Sequence, residues 1–287
     1  MLEKSGFSDI VCRELHIDAP KPELEEWEQM VERIRNRSRE VHIGLVGKYV
    51  KLHDAYLSVA EAMNHAGYEL NTFVKIHWID SENIRSDNVK DILEGLDGII
   101  VPGGFGNRGI EGMILSANYA RENQIPYFGI CLGMQIAVIE FARNVLGLKD
   151  AHSGEFDGQC EYKVIDFMPG QSERKDKGGT LRLGSYPCSI KAGTKMEQCY
   201  GGKLIHERHR HRYEFNNKYR EELIGAGLVI SGTSPDERLV ESVELKEHPF
   251  FVGVQFHPEF KSRPNQSHPL FKGFVSAALK ESKRKEE

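Results

Sequence analysis

From Val41 to Leu146 the chain alternates short apolar runs with stretches that are apolar at helical spacing, and that alternation leaves few folds open. Val41–Val46 reads as a strand, Ala55–His65 as a helix closed by Gly67, and Leu70–Ile79 as a second strand. A short helix around Val89–Leu96 precedes a third strand, Gly98–Val101, then a helix over Glu111–Arg121. Ile125–Ile130 is a fourth strand, followed by a helix over Met134–Leu146. Strands that are apolar throughout need cover on both faces, so this half predicts an α/β fold around a mostly parallel sheet. The second half is richer in strand, with candidates at Tyr162–Phe167, Leu181–Ile190, His211–Phe215, Leu228–Ser231, Leu239–Leu245 and Phe250–Phe256, and a closing helix near Leu270–Lys280. The polar, glycine-ended stretch Gln171–Gly179 reads as a mobile loop.

Residues before about Glu40 differ from the rest. Asp18-Ala-Pro-Lys-Pro22 is a stiff entry to a charged helix over Glu23–Arg37, whose apolar positions Leu24, Trp27, Val31 and Ile34 form one narrow stripe. A helix with so thin a stripe docks on something larger, as a linker or the end of a neighbouring domain does.

Composition narrows the class. With 38 basic and 43 acidic residues the net charge is −5, too mild to point to nucleic acid or a membrane surface. Five widely spread cysteines, Cys12, Cys131, Cys160, Cys188 and Cys199, form no C-x-x-C pair, which suggests neither a zinc site nor a disulfide framework. A reducing cytoplasm is the expected compartment. The first residues lack the apolar core of a signal peptide, and no apolar run has bilayer-spanning length.

Gly129-Ile-Cys131-Leu-Gly133 sets a cysteine between two glycines where a strand gives way to a helix, the layout of a nucleophile elbow with sulfur as the nucleophile. Glycine on either side lets the backbone fold tightly, and the helix start beyond aims N–H groups at the sulfur and favours thiolate. A thiolate needs a base, and the base an orienting partner. Both are available in Gly253-Val-Gln-Phe-His257-Pro-Glu259, where residues two apart in extended chain share a side and Pro258 stiffens the segment.

Two further motifs need weighing. Gly104 to Gly109 matches G-x-G-x-x-G, but the next strand ends in the cysteine elbow rather than in the acidic residue a dinucleotide site requires. The loop serves better as flexible backbone whose N–H groups approach an oxyanion. In Glu207-Arg-His-Arg-His-Arg-Tyr-Glu214, extended backbone puts Arg208, Arg210 and Arg212 on one face and His209 and His211 on the other. Flanking glutamates argue against RNA, and one arginine presented to a small carboxylate is the more economical use.

Together these residues resemble the class I (triad) glutamine amidotransferases, and more closely the glutaminase domain of the CTP synthase family. The resemblance rests on PGGFGNRG at Pro102–Gly109, GICLGMQ at Gly129–Gln135, SGEFD at Ser153–Asp157, GGTLRLG at Gly178–Gly184, ERHRHRYE at Glu207–Glu214 and GVQFHPEF at Gly253–Phe260. It implies a three-layer fold with a mostly parallel central sheet and a smaller antiparallel β segment. It also implies a linker over residues 1–40, from the end of a synthetase domain, and a glutaminase domain over 41–287. By position, Cys131 is the nucleophile, His257 the base and Glu259 its orienter. Backbone of Leu132, Gly133, Met134, Gly103 and Gly104 would lie against substrate, with the N–H groups of Leu132 and of the Gly103-Gly104 turn holding the oxyanion. Gln135, Glu155 and Arg212 would bind the amino-acid head, Glu155 its ammonium and Arg212 its carboxylate. The implied partners are L-glutamine and an amidoligase (synthetase) domain that uses ATP and Mg to aminate UTP, in a homotetramer. GTP is the implied activator, touching Phe105, Arg108 and Leu183, and the glutaminase domain itself would need no cofactor or metal. Two other classes stay open: a cysteine protease or deglycase of related fold, and a non-catalytic regulatory or filament module.

Overall fold

In chain order the elements are α1 (Phe7–Glu14), α2 (Glu25–Arg35), β1 (Arg39–Gly47), α3 (Leu57–Glu69), β2 (Thr72–Asp80), α4 (Val89–Leu93), β3 (Gly98–Val101), α5 (Ile110–Glu122), β4 (Tyr127–Ile130) and α6 (Leu132–Asn144). There follow β5 (Ala151–Ser153), β6 (Tyr162–Phe167), β7 (Arg182–Ile190), α7 (Lys195–Tyr200), β8 (Leu204–His211), β9 (Tyr213–Phe215), α8 (Arg220–Gly225), β10 (Leu228–Thr233), β11 (Val240–Leu245), β12 (Phe251–Val254) and α9 (Pro269–Glu286). They come from a computed structural model that describes residues 2–167 and 181–286. The stretch 171–179, read above as a loop, lies outside the described residues.

Among the described residues, the large sheet runs β2-β1-β3-β4-β12-β11-β10-β7-β8. Its first five strands are parallel, and from β12 onward each neighbour is antiparallel. One face is packed by α3 and α9 through Met63, Ala66, Phe271, Phe274 and Val275; the other carries α5 and α6 through Met113, Ile114, Ile136 and Phe141. Helix on both faces explains why β3, β4 and β12 are buried from end to end. A small sheet, β5-β6-β9, lies beyond α6 and is mixed rather than wholly antiparallel, since β5 pairs parallel to β6.

Several expectations are corrected. Gly67 does not close α3, which continues to Glu69. A Cβ at Gly67 would lie 2.7 Å from the Thr72 carbonyl, so this glycine lets the helix approach β2. The candidate strand over 211–215 is two strands in different sheets, β8 and β9, with Arg212 at the crossing. In α2 the inward residue is Met30, while Trp27 and Val31 of the expected docking stripe are exposed and line a surface groove with Glu3 and Lys4 of the N-terminal segment. That segment reaches the body through Arg37, which lies 4.2 Å over the Phe73 ring, and through an Asn265–Glu26 hydrogen bond of 2.9 Å. Among the described residues no helix is long and apolar enough to cross a membrane.

Candidate active site

The carboxyl ends of β3, β4 and β12, three adjacent strands, converge on Cys131. Cys131 closes β4, caps α6 and takes φ 51 and ψ −98, a conformation that side chains rarely adopt. The positive φ thus falls on the cysteine and not on its glycines, which serve a different need from the one expected. A Cβ at Gly133 would stand 2.1 Å from the Val101 carbonyl oxygen, and one at Gly129 would stand 2.4 Å from the Gly133 oxygen. Each glycine permits a backbone approach that any side chain would block. Tyr127 braces the turn from below, donating its hydroxyl to the Gly133 carbonyl at 2.8 Å, and Cys131 N–H donates to the Val254 carbonyl at 2.7 Å. The first N–H groups of a helix have no partner within it, which leaves donors at the start of α6 next to Cys131.

His257 is brought to the sulfur by the chain beyond β12. Its backbone N–H donates to the Arg208 carbonyl at 2.7 Å, and its Nδ1 lies 2.8 Å from Glu259 Oε1. The pairing does not use extended strand as expected, because Pro258–Lys261 forms a 3-10 turn that folds Glu259 back onto the ring. Burial works against charge on His257, but the neighbouring Cys131 sulfur and then Glu259 outweigh it and push the imidazole up to about 10. A raised histidine contributes stability that is full below its ordinary 6.5 and is lost as pH rises through about 10. Glu259→Gln removes one supporting charge while keeping the shape. The His257 titration should therefore fall by about one pH unit, staying above 6.5 because the sulfur remains. Ring-proton NMR titration reads this directly, and an unmoved midpoint would show that Glu259 carries none of the shift.

The glycine loop covers this pair. A Cβ at Gly103 would sit 2.9 Å from His257 Cε1 and 3.6 Å from Cys131 Cβ, and one at Gly104 would sit 3.2 Å from the Leu132 side chain. Gly103 and Gly104 therefore border Cys131, as do Leu132, Gly133 and Met134 at the start of α6. Lys48, which no sequence motif singles out, latches the loop by donating to the Phe105 and Gly106 carbonyls. Burial pulls its ammonium down to about 8, opposed by Glu155. The only signal in sequence is its place just past an apolar strand.

Beside the sulfur lies a cavity of about 180 Å³ lined by Cys131, Gln135, Glu155, Arg212, Gly104 and Tyr213, among others. Glu155, from the turn after β5, accepts from Gly106 N–H at 3.3 Å. Burial raises its carboxyl, and the Gly106 N–H, Lys48 and Arg212 oppose that rise. A carboxylate and a guanidinium thus face one small cavity that opens on a cysteine. Phe105 and Leu183 are exposed at the rim, where Arg210 lies 5.7 Å over the Phe105 ring and is the cross-strand partner of Leu183. Arg108 is already engaged, paired with Glu82 at 2.7 Å and donating to the Lys48 carbonyl.

The expected alternation holds through β8, where Glu207, His209 and His211 are buried and Arg208 and Arg210 exposed, but not for Arg212, which lies past the end of β8 and is half-buried. Burial, followed by the Arg182 charge, holds His209 down to about 2 and His211 down to about 3, so both rings are neutral. Among the described residues no cluster of three or more His, Cys, Asp or Glu side chains is placed to hold a metal ion.

Residues 51–277 match the family described as glutamine amidotransferase class-I. The chain is also 42% identical to the glutaminase domain of Trypanosoma brucei CTPS solved with bound acivicin, with a TM-score of 0.79 over 84% of this chain and 94% of that one. The chain belongs to the class I glutamine amidotransferases, as a glutaminase domain of the CTP synthase type. Other relatives are the CTP synthases of Carboxydothermus hydrogenoformans, 60% identical over 98% of this chain and 53% of theirs, and of Bacillus subtilis, 54% identical over 99% and 53%. The chain spans about half the length of these relatives.

Proposed function

We propose that this amidotransferase domain hydrolyses L-glutamine to glutamate and ammonia through a Cys131–His257–Glu259 triad. The carrying observation is a strained cysteine at a helix start, beside a buried His–Glu pair and open to a small cavity that presents both a carboxylate and a guanidinium. His257 takes the Cys131 thiol proton, and the sulfur adds to the side-chain amide carbon of glutamine. The oxyanion is held by N–H groups of Leu132 and of the Gly103-Gly104 turn. Collapse breaks the C–N bond, His257 returns its proton to the leaving nitrogen, and ammonia departs from a thioester. Water, deprotonated by the same imidazole, then releases glutamate and the free thiol.

Glu155 binds the substrate ammonium and Arg212 its carboxylate, with Gln135 completing the contacts to the amino-acid head. Arg212→Ala should raise KM for glutamine by about 30-fold or more through loss of a charge-assisted pair. Saturation curves for ammonia release measure this, and an unchanged KM would place the pocket elsewhere. A parallel assay with peptide substrates separates the glutaminase from a protease of related fold, because only a free amino acid uses both charges.

Within a longer protein the ammonia would aminate UTP in an amidoligase domain that uses ATP and Mg, residues 1–40 forming the link to it and the whole assembling as a homotetramer. GTP would promote the glutaminase step from the rim formed by Phe105, Arg108 and Leu183. The names of the relatives and their doubled length support this reading. A coupled assay of CTP formation, run with and without GTP on a protein that carries both domains, tests it.

A further inference from the structure

Gln255 lies two residues before His257 and is fully buried. Its Nε2 is 3.6 Å from Cys131 Sγ, within reach of an N–H···S hydrogen bond, and its Oε1 accepts from Gln135 Nε2 at 3.3 Å. Gln135 Nε2 also donates to the Tyr213 backbone carbonyl at 3.1 Å. The direction of this chain is fixed from its far end. A carbonyl can only accept, so Tyr213 draws the NH2 of Gln135 toward itself; that NH2 then claims the oxygen of Gln255, leaving the nitrogen of Gln255 on the sulfur. Backbone bonds hold the participants in place, with Cys131 N–H on the Val254 carbonyl at 2.7 Å and Gln255 N–H on the Glu241 carbonyl at 2.8 Å.

We propose that Gln255 is the positioning residue of the nucleophile, its amide N–H holding the Cys131 thiolate in an orientation set by the chain Tyr213–Gln135–Gln255. The inference rests on the reading of Cys131 as the nucleophile. A neutral amide suits the task because it stabilises the charged sulfur by a hydrogen bond without competing for the proton that His257 must receive. The hydrogen-bond chain also begins one residue past Arg212, so the crossing that would recognise substrate is tied to the sulfur that would attack it.

The test is the pH dependence of Cys131 alkylation by iodoacetamide, followed by peptide mapping, together with kcat and KM for glutamine. In Gln255→Met, which keeps the bulk and loses the donor, the alkylation midpoint should rise by about one pH unit. Its kcat should fall about tenfold with KM changed less than about twofold. In Gln255→Glu, which sets a carboxylate against the sulfur, the midpoint should rise by about two units. A folded Gln255→Met protein with the wild-type midpoint overturns the proposal, since space-filling alone does not move a titration. If that variant does not fold, Gln135→Met decides the question in its place, because it frees the Gln255 amide to turn over while leaving it in position: the midpoint rises, or the proposal fails. Wild-type protein alkylated only at other cysteines would overturn the nucleophile assignment itself, a result distinct from an unmoved midpoint at a labelled Cys131.

Discussion

Cys131→Ala should cut glutamine hydrolysis by about 10⁴-fold or more while leaving the fold in place. The large loss is expected because no other cysteine is placed to substitute for it. Cys188 and Cys199 sit on other elements, where burial pushes the Cys188 thiol well above its ordinary range and the Cys199 thiol up to about 11, keeping both protonated. The fold should survive because alanine accepts the same backbone strain and the lost atom is a single sulfur at the edge of the core. The same variant gives a second readout. The Cys131 sulfur leads the influences that raise His257, so the imidazole should titrate much closer to its ordinary value. Ammonia release and the His257 titration check the two halves separately. More than a hundredth of wild-type activity in Cys131→Ala would take the nucleophile away from this residue.

Gly133→Ala should be the most damaging single-methyl change near the site. Its Cβ would meet the Val101 carbonyl oxygen at 2.1 Å and the Val101 carbonyl carbon at 3.0 Å, both backbone atoms of a buried central strand. No side chain can swing aside, so either α6 lifts from the sheet or β3 shifts. Both carry the site, α6 through the N–H groups at its start and β3 through the glycine loop that follows it. The expected cost is about 3 kcal/mol or more, above the usual range for overpacking because the obstacle cannot rotate. Urea unfolding measures it, with Gly158→Ala as control: a Cβ there meets nothing within 4 Å and should change stability by less than about 0.5 kcal/mol. Near wild-type stability for Gly133→Ala would mean that the elbow is looser than this packing requires.

The inner strands β3, β4 and β12 were legible because they are apolar on both faces, and the edge strand β2 because its apolar residues alternate with polar ones; in each the period separates strand from the helices between. The same criterion failed in β8. Leu204–His211 buries Glu207, His209 and His211 in place of aliphatic side chains, so a rule that looks for apolar alternation passes over the edge strand of the large sheet. Two of those groups are kept inside by neutralisation, as neutral imidazoles, and the third by partners: Glu207 accepts from Tyr200, Lys261 and His268. The cysteine elbow and the His–Glu pair were legible from their motifs, and Glu155 and Arg212 from the family resemblance that assigns them roles. Gln255 and Lys48 were not, because each acts through a contact made by distant parts of the chain. Gln255 reaches Cys131 across 124 positions and Lys48 reaches Gly106 across 58, and no local pattern encodes such a meeting.

Arg212 is the one residue between β8 of the large sheet and β9 of the small one. Chemistry hangs from the first sheet, and Glu155 follows an edge strand of the second. A glutamine bound as proposed would bridge the two sheets, its side-chain end at the Cys131 sulfur and its head between Glu155 and Arg212. Glutamine held as proposed would then tie the β8–β9 crossing to the cysteine turn, so that the seam between the sheets and the binding site share the same residues.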